Sequence, residues 1–148
     1  MSNEVSKAPS SPAIDSVNRF YEAYGREDIE GMKALIAPDC KWMIPGHHPL
    51  AGTKTGRDEI VTYFELLKRG NFKAEIIYLT GDDTHAIDVH RGWGEANGAR
   101  CDTNWVLYYT MKGGLISEVQ NFCFDQHQVD LFYWAVWELV PLPQRVRA

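Results

Sequence analysis

The sequence lacks the features that mark nucleic-acid-binding and membrane proteins. Its 20 acidic residues outnumber 15 basic ones, the formal charge is −5, and the basic residues form no cluster. A protein that binds a phosphate backbone needs a basic surface, so this composition argues against a nucleic-acid partner. No apolar run approaches the roughly 18 residues of a membrane-spanning helix. The first 12 residues also lack the basic and apolar regions of a secretory signal peptide.

Cysteine is scarce as well. Cys40, Cys101 and Cys123 are odd in number and do not have the spacing of a metal site. We therefore predict reduced thiols, no metal and a cytoplasmic location. The sequence has no glycine-rich phosphate loop, no serine nucleophile elbow and no recognisable Cys/His motif. Any chemistry is therefore expected to need no cofactor.

The 148 residues are enough for one domain, and the first half carries helical signals. We predict a polar tail over 1–11 and a single domain over 12–148. Ser11 and Pro12 form a typical helix start, as N-cap and first helical residue, and Gly25 is a typical helix end. Apolar spacing and capping patterns predict three helices, over 12–25, 28–37 and 55–69.

The second half has a different periodicity, because polar and apolar residues alternate from position 73 onwards. This alternation predicts four strands, over 73–80, 85–93, 100–111 and 115–124, joined by tight turns. Asn97-Gly98 is the strongest of the turn signals. A shorter strand is predicted over 40–44, and an aromatic segment over 129–140 closes the domain. Helices followed by hairpin-connected strands indicate an α+β fold with an antiparallel sheet.

Several local sequences show a family resemblance. They are Trp42-Met43-Ile44-Pro45-Gly46, Pro49-Leu50-Ala51-Gly52, Gly56-Arg57-Asp58, Gly113-Gly114-Leu115-Ile116-Ser117-Glu118, and Asp125-Gln126 followed by Val129-Asp130-Leu131-Phe132-Tyr133-Trp134. They resemble the SnoaL-like members of the nuclear transport factor two-like (ketosteroid isomerase-like) superfamily. The resemblance implies a cone-shaped fold, in which three N-terminal helices pack on a curved antiparallel β-sheet around a pocket for an apolar small molecule. It also implies a homodimer that packs through the other face of the sheet.

The second of the four predicted strands carries the strongest catalytic candidate. Asp88 and His90 share one face of this strand, because alternate residues of a strand point the same way. His90 can exchange protons near neutral pH, and Asp88 or Asp102 can fix its tautomer. We therefore predict that His90 is a general acid or base. The alternative is a histidine paired within the dimer interface.

Two further catalytic candidates lie on the third strand and just after the fourth. Asp125 lies near the position where related cyclases are thought to place an acid–base aspartate. It also suits a helix N-cap, since Asp125 and Gln128 have capping spacing. Asn104, like Gln120, can hydrogen-bond a substrate carbonyl or enolate, although amides bond neighbouring backbone just as often.

The remaining candidates are aromatic or polar residues expected to line the pocket. They are Tyr21, Tyr24, Trp42, His48, Tyr63, Arg91, Trp93, Gln120 and Phe122, with Trp105 as a further wall residue. His47 and His48 lie on the loop expected at the pocket mouth, where they could form a gate, contact substrate or be solvated. Adjacent side chains diverge and these two lack a partner at ligand spacing, which argues against a metal site.

The leading hypothesis is a cofactor-independent enzyme that isomerises, cyclises or dehydrates an apolar carbonyl-containing metabolite. His90 or Asp125 would transfer the proton, and hydrogen bonds would stabilise the enolate. One alternative is a non-catalytic domain that binds a small molecule or a partner through the same cone. Another is an epoxide hydrolase. The related hydrolases use an Asp–Arg–Asp set, of which Arg91 could be one member, but Phe122 stands where the last acid is expected.

Overall fold

The first helix begins at the capping signal seen in the sequence. In this computed structural model, which describes residues 10–139, the Ser11 hydroxyl accepts a hydrogen bond from the backbone N–H of Ile14 at 3.2 Å. Pro12 follows at the first helical position, where no N–H is needed. Residues 1–9 of the predicted tail and residue 140 of the predicted aromatic segment lie outside the described residues.

The described part of the chain contains four helices and six strands. In chain order they are α1 (Pro12–Gly25), α2 (Ile29–Lys33), β1 (Ile36–Ile44), β2 (Gly52–Thr55), α3 (Arg57–Leu67), β3 (Lys73–Gly81), β4 (His85–Ala96), β5 (Ala99–Lys112), β6 (Leu115–Cys123) and α4 (Gln126–Val136). A 3-10 turn, Lys68–Gly70, continues α3. No helix among residues 10–139 is both long and apolar enough to cross a membrane.

All six strands belong to one sheet, in the order β2-β1-β6-β5-β4-β3. β1 runs parallel to β6, and every other neighbouring pair is antiparallel. The face of the sheet that packs against the helices, here called the inner face, carries buried residues such as Ala86, Leu107 and Val119. The opposite, outer face carries exposed residues such as Ile87 and Phe122. The predicted α+β fold, with helices packed on a curved and mainly antiparallel sheet, is confirmed.

Two predicted boundaries are wrong at the start of the sheet. The second helix ends at Lys33 rather than before Pro38, and β1 begins at Ile36 rather than Cys40. Proline fits inside this strand because the β1–β6 pairing is irregular between Ile36 and Lys41, so no regular ladder bond is lost. The apolar spacing typical of a helix thus continues to residue 37, although the helix itself ends at Lys33.

The start of α3 also differs from the prediction. Gly56, with φ of +90°, is the N-cap, and no side chain caps the helix there. Thr55, predicted as the start of the helix, instead closes the short strand β2, which was not predicted, and its backbone N–H donates to Glu59 at 2.8 Å. A positive φ at this position favours glycine, since it has no Cβ to clash.

Candidate active site

The inner face of β4 carries a fully buried carboxylate beside a histidine, as the spacing of Asp88 and His90 predicted. Nδ1 of His90 lies 2.7 Å from Oδ1 of Asp88. The hydroxyls of Tyr21 and Tyr109 donate to the other carboxylate oxygen, Oδ2, at 3.0 and 2.7 Å. Side chains from α1, β4 and β5 therefore converge on one carboxylate that has no contact with solvent.

Proton positions in this cluster follow from the available donors. Burial raises the pKa of Tyr21 and of Tyr109 well above the usual value for tyrosine, so both hydroxyls keep their protons at neutral pH. Nδ1 of His90 lies 2.7 Å from both the Tyr21 hydroxyl and Oδ1 of Asp88. Because an ionised carboxylate can only accept, Nδ1 carries the proton, and the Tyr21 hydroxyl donates to Asp88. The proton on Nδ1 then serves the remaining carboxylate oxygen, and neutral His90 carries its lone pair on Nε2.

The ring of His90 is held between two aromatic residues. Trp105 lies nearly parallel to it, at 10° and 5.8 Å between ring centroids, and Tyr21 meets it edge-on at 5.7 Å. Gly92 makes room for this arrangement, because a Cβ there would lie 2.7 Å from the Trp105 ring. The imidazole is therefore oriented before any ligand arrives, which is a requirement for efficient proton transfer.

His90 lines a cavity of about 90 Å³ between the inner face of the sheet and the helices. Ten of the 17 residues that line this cavity, here called the inner cavity, are Phe, Tyr or Trp. Such walls exclude water and strengthen the electrostatic interactions of the few polar groups that reach them.

Asn121 on β6 supplies a second polar group to the inner cavity. Its Oδ1 is the only buried side-chain oxygen or nitrogen among residues 10–139 without a hydrogen-bond partner. An unpaired buried polar atom lowers the free energy of unfolding by on the order of 1–3 kcal/mol. Such an atom therefore indicates a functional role. The same side chain carries two amide N–H donors, and because Asn121 lines the cavity these can donate to an oxygen of a ligand.

The structure places several of the predicted site residues together. Those that line the inner cavity are His90, Tyr21, Tyr24, Trp42 and Tyr63, together with the wall residue Trp105. The tyrosines of α1 and His90 of β4 meet there side chains from β1, α3 and β5.

Arg91 and Trp93 lie on the outer face, away from the cavity. The guanidinium of Arg91 lies 4.3 Å from the centre of the Trp93 ring and donates to Asp102 from Nε at 2.9 Å and from Nη2 at 2.7 Å. The prediction that Arg91 and Trp93 contact a ligand in the pocket is therefore corrected. Both alternate with His90 along β4, so they point to the opposite side of the sheet.

Asn104, Gln120 and Phe122 also lie outside the inner cavity. Asn104 is exposed, and the Phe122 side chain is 51% exposed on the outer face. Gln120 and Phe122 alternate with Asn121 along β6, so they point to the face opposite the cavity. Asn121 therefore supplies the cavity with the amide group that was predicted to come from Asn104 or Gln120.

Asp125 is the N-cap of α4 and does not line the cavity. Its side chain accepts hydrogen bonds from the backbone N–H and the side-chain amide of Gln128, both at 3.1 Å. These bonds hold the pKa of Asp125 below its usual value. The capping alternative is therefore confirmed, and the acid–base role predicted for Asp125 has no support in its position.

His48 is buried within the 45–52 loop and does not reach the inner cavity. Its Nδ1 accepts a hydrogen bond from the backbone N–H of Leu50, and its Nε2 lies 3.1 Å from the carbonyl oxygen of Pro45. Burial lowers the pKa of His48 to about 4, so the ring is neutral at neutral pH. The ring also packs at 4.2 Å on Tyr133, which is a wall of the inner cavity. His48 therefore supports the wall from behind instead of contacting the ligand space.

Tyr109 and Asn121, which carry polar groups, are among the cavity residues that were not predicted as site residues. Alternation along β5 put Tyr109 on the face of Trp105, which was a usable signal. The sequence signal for Asn121 is weaker, because the neighbouring Phe122 is more apolar and is the stronger candidate for burial.

None of the three cysteines lines the inner cavity. Cys40, Cys101 and Cys123 are free cysteines, as predicted. Burial raises the pKa of the Cys40 and Cys101 thiols to about 12, so they are not nucleophiles at neutral pH. Within residues 10–139, no three His, Cys, Asp or Glu side chains are grouped as a metal site would need.

Known proteins share this fold and resemble this chain in sequence. Residues 17–119 match the SnoaL-like domain family. The chain belongs to the SnoaL-like family. This SnoaL-like protein is 28% identical over 126 residues to an uncharacterized protein from Mycobacterium tuberculosis, a match that spans 82% of this chain and 95% of the relative.

Solved structures extend this likeness to the nuclear transport factor two-like fold. Bal32a, from a soil-derived mobile gene cassette, superimposes with a TM-score of 0.76 and 26% identity, covering 80% of the SnoaL-like chain and 94% of its own. An LEH-like epoxide hydrolase from Mycobacterium tuberculosis superimposes with a TM-score of 0.67 over 82% of this chain and 91% of its own. Its identity of 16% shows a common fold alone.

Proposed function

We propose that this SnoaL-like protein is a cofactor-independent acid–base enzyme of the isomerase, cyclase or dehydratase type. Its substrate would be an apolar small molecule with a carbonyl group. One observation carries this proposal: His90 is anchored through Nδ1 to a buried carboxylate, with Nε2 left free beside an aromatic cavity. Isomerisation, aldol cyclisation and dehydration of a hydroxy-carbonyl compound share one step, the removal of a proton from the carbon next to the carbonyl.

His90 would perform this step as a general base. Nε2 accepts the proton, and the resulting imidazolium is stabilised by the Asp88 carboxylate on its other nitrogen. The protonated ring then returns the proton to another carbon or gives it to a departing hydroxyl. These two outcomes distinguish an isomerase from a dehydratase, and both use the same base.

Asn121 would stabilise the enolate that forms. Its amide N–H groups can donate to the carbonyl oxygen, whose negative charge grows as the proton leaves. Asn121 and His90 lie on different strands and line the same cavity, so a small carbonyl compound can contact both. A hydrogen bond to an enolate strengthens during the reaction, which lowers the barrier more than it tightens binding of the substrate.

The two alternative functions have less support. A domain that only binds an apolar ligand has no use for a histidine and an unpaired amide on the wall of an aromatic cavity. A hydrolase of the Asp–Arg–Asp type needs a guanidinium in the cavity, and none of the lining residues is an arginine. Arg91 forms its carboxylate pair on the outer face instead.

The shared step can be tested without the natural substrate. Exchange of the protons next to the carbonyl of 2-butanone can be followed by NMR in deuterated water, with and without the protein. We expect the protein to accelerate exchange, His90→Ala to lower the protein-dependent rate at least tenfold, and Asn121→Ala to lower it about tenfold. His85→Ala is the matched control, since His85 lies at the exposed start of the same strand. Equal rates for the wild type and His90→Ala would reject the proposed base.

A homodimer is the second part of the proposal. On the outer face, the pairing register aligns Tyr78, Val89, Val106 and Phe122 in one row across four strands. Tyr78 and Phe122 are 58% and 51% exposed, so this apolar row has no cover within residues 10–139. Contiguous apolar surface of this kind is typical of protein interfaces.

Sedimentation tests this interface directly. We expect a dimer at micromolar concentration, and a shift to monomer in Phe122→Glu with an unchanged circular dichroism spectrum. Glu118→Gln, on the same face of β6, is the control that should remain dimeric. A monomeric wild type at micromolar concentration would contradict the proposed assembly.

A further inference from the structure

The inner cavity borders a larger space. A groove of about 620 Å³, here called the outer groove, lies between α1, α2 and the edge strand β3. Six residues border both the groove and the inner cavity: Tyr21, Tyr24, Phe64, Phe72, Lys73 and Ala74. The two spaces are therefore neighbours that share a common wall, and His90 and Asn121 line only the inner one.

The inner cavity is too small to contain a whole drug-sized metabolite. Its volume of about 90 Å³ is below the roughly 150 Å³ of an apolar cavity that holds benzene. Pockets for such metabolites usually measure about 300–1,000 Å³. A drug-sized substrate with its carbonyl beside His90 must therefore extend beyond this cavity, and the outer groove is the adjoining space.

The chemistry of the outer groove indicates what part of a substrate it takes. Ile29, Met32 and Ile76 add an apolar surface to the shared aromatic wall. Its lining also contains an ion pair between Lys68 and Glu27 at 3.4 Å, whose charges are already matched. The groove thus combines an apolar surface with the polar side chains of Asn71 and Lys73, and its one acidic residue, Glu27, is already paired.

We propose that the substrate is an elongated molecule, with a small carbonyl-bearing end in the inner cavity and an apolar chain in the outer groove. The inference rests on the proposed function for the position of the carbonyl, but the division of the ligand between two spaces follows from their sizes. Chain length beyond the reacting end then determines affinity, and a compact polycyclic compound is excluded from the reacting position.

A series of 2-alkanones tests this division, since they share one carbonyl end and differ only in chain length. Binding can be measured by quenching of tryptophan fluorescence, because Trp42 and Trp105 line the inner cavity. We expect the affinity to rise roughly two- to fourfold per added methylene from 2-butanone to 2-decanone, as each group leaves water.

Gly25 provides a variant that fills the groove selectively. It lines the outer groove but not the inner cavity, and a Cβ added there meets no atom within 4 Å. We expect Gly25→Phe to leave 2-butanone binding unchanged and to abolish the gain for the longer alkanones. Gly25→Ala is the matched control and should retain the full gain.

The outcomes separate this inference from the proposed function. An affinity that does not depend on chain length in the wild type, or a gain that survives in Gly25→Phe, would overturn the elongated-substrate inference. His90→Ala should keep the dependence on chain length while it loses proton exchange. Loss of exchange without chain-length dependence would therefore reject only this inference, and the reverse result would reject only the general base.

Discussion

Two carboxylate clusters on neighbouring strands show how burial changes the role of similar hydrogen bonds. Asp88 on β4 accepts hydrogen bonds from a histidine and two tyrosines and is fully buried on the inner face. Asp102 on β5 accepts three from Arg91 and Arg100, and its side chain is 29% exposed on the outer face. Both carboxylates have three hydrogen bonds, so their number does not distinguish the clusters.

The partners and the solvent make the difference. Hydrogen bonds from Arg91 hold the pKa of Asp102 below its usual value, and water can replace either partner if one is removed. A guanidinium also cannot release its proton under ordinary conditions. The Asp88 cluster excludes water and includes an imidazole, which exchanges protons readily. Only the inner cluster therefore combines a fixed geometry with a group that can act as a base.

The largest expected effect comes from removing the two carboxylates in turn. Asp88→Ala leaves two buried hydroxyls and an imidazole N–H without their acceptor, so we expect it to lower the free energy of unfolding by about 3–5 kcal/mol. Asp102→Ala should lower it far less, because its partners can turn to water. Urea denaturation measures both. Similar losses for the two variants would mean that burial does not separate the clusters.

His48 is a buried polar group without the carboxylate that His90 has, and this sharpens the comparison. Its pKa of about 4 lies below that of an unfolded histidine, about 6.5, so its neutral form is favoured by folding. Its contribution is complete above pH 6.5. It is lost as the pH falls towards 4, because the unfolded chain then binds a proton that the folded one does not. We expect this group to remove about 3 kcal/mol of stability over that range.

Denaturation in urea at several values between pH 7 and pH 4 can isolate this effect. His48→Gln cannot bind the proton, so its stability should fall less steeply than that of the wild type. His47→Gln is the matched control, because His47 is adjacent in sequence but exposed. We expect this variant to keep the wild-type dependence of stability on pH. A slope in His48→Gln equal to that of the wild type would show that His48 does not govern the acid response.

Tyr108 and Tyr109 repeat the comparison with neighbouring residues of one type. Tyr109 is buried and donates to Asp88, whereas Tyr108 lies on the outer face, stacked on His85. We expect Tyr109→Phe to cost about 1–2 kcal/mol of unfolding free energy, since Asp88 loses a donor that water cannot replace. Tyr108→Phe should change it by less than about 0.5 kcal/mol. A larger loss in Tyr108→Phe would reverse the assignment of the faces.

The inner and outer faces of the sheet also show how much of the site the sequence alone could predict. Alternation along β4 predicted that Asp88 and His90 share a face, because a regular strand has a strict period of two. On β6 the period was equally clear, but hydrophobicity favoured burying Phe122, and the structure instead buries the Oδ1 of Asn121. A residue whose position contradicts its polarity is typical of a functional site, where local preference yields to chemistry.

Other errors came from tertiary contacts that no local pattern contains. Pro38 predicts a helix end, yet it lies in a strand whose pairing with β6 is irregular at that point. The aromatic and charged side chains of Arg91 and Trp93 favour a pocket, although both residues alternate with His90 along β4 and therefore point to the other face. Asp125 illustrates the opposite case, since its capping spacing alone was sufficient to predict its position correctly.

The smallest expected effect lies in the outer cluster and concerns Arg91. Its side chain is 41% exposed, so Arg91→Ala should lower the unfolding free energy only slightly in low salt. The loss should shrink further in 1 M salt, where exposed charges are screened within about 3 Å. Proton exchange of 2-butanone should stay at the wild-type rate. A slower exchange in Arg91→Ala would connect the outer pair to the inner cavity through the sheet, and the two clusters would then have to be treated as one coupled network.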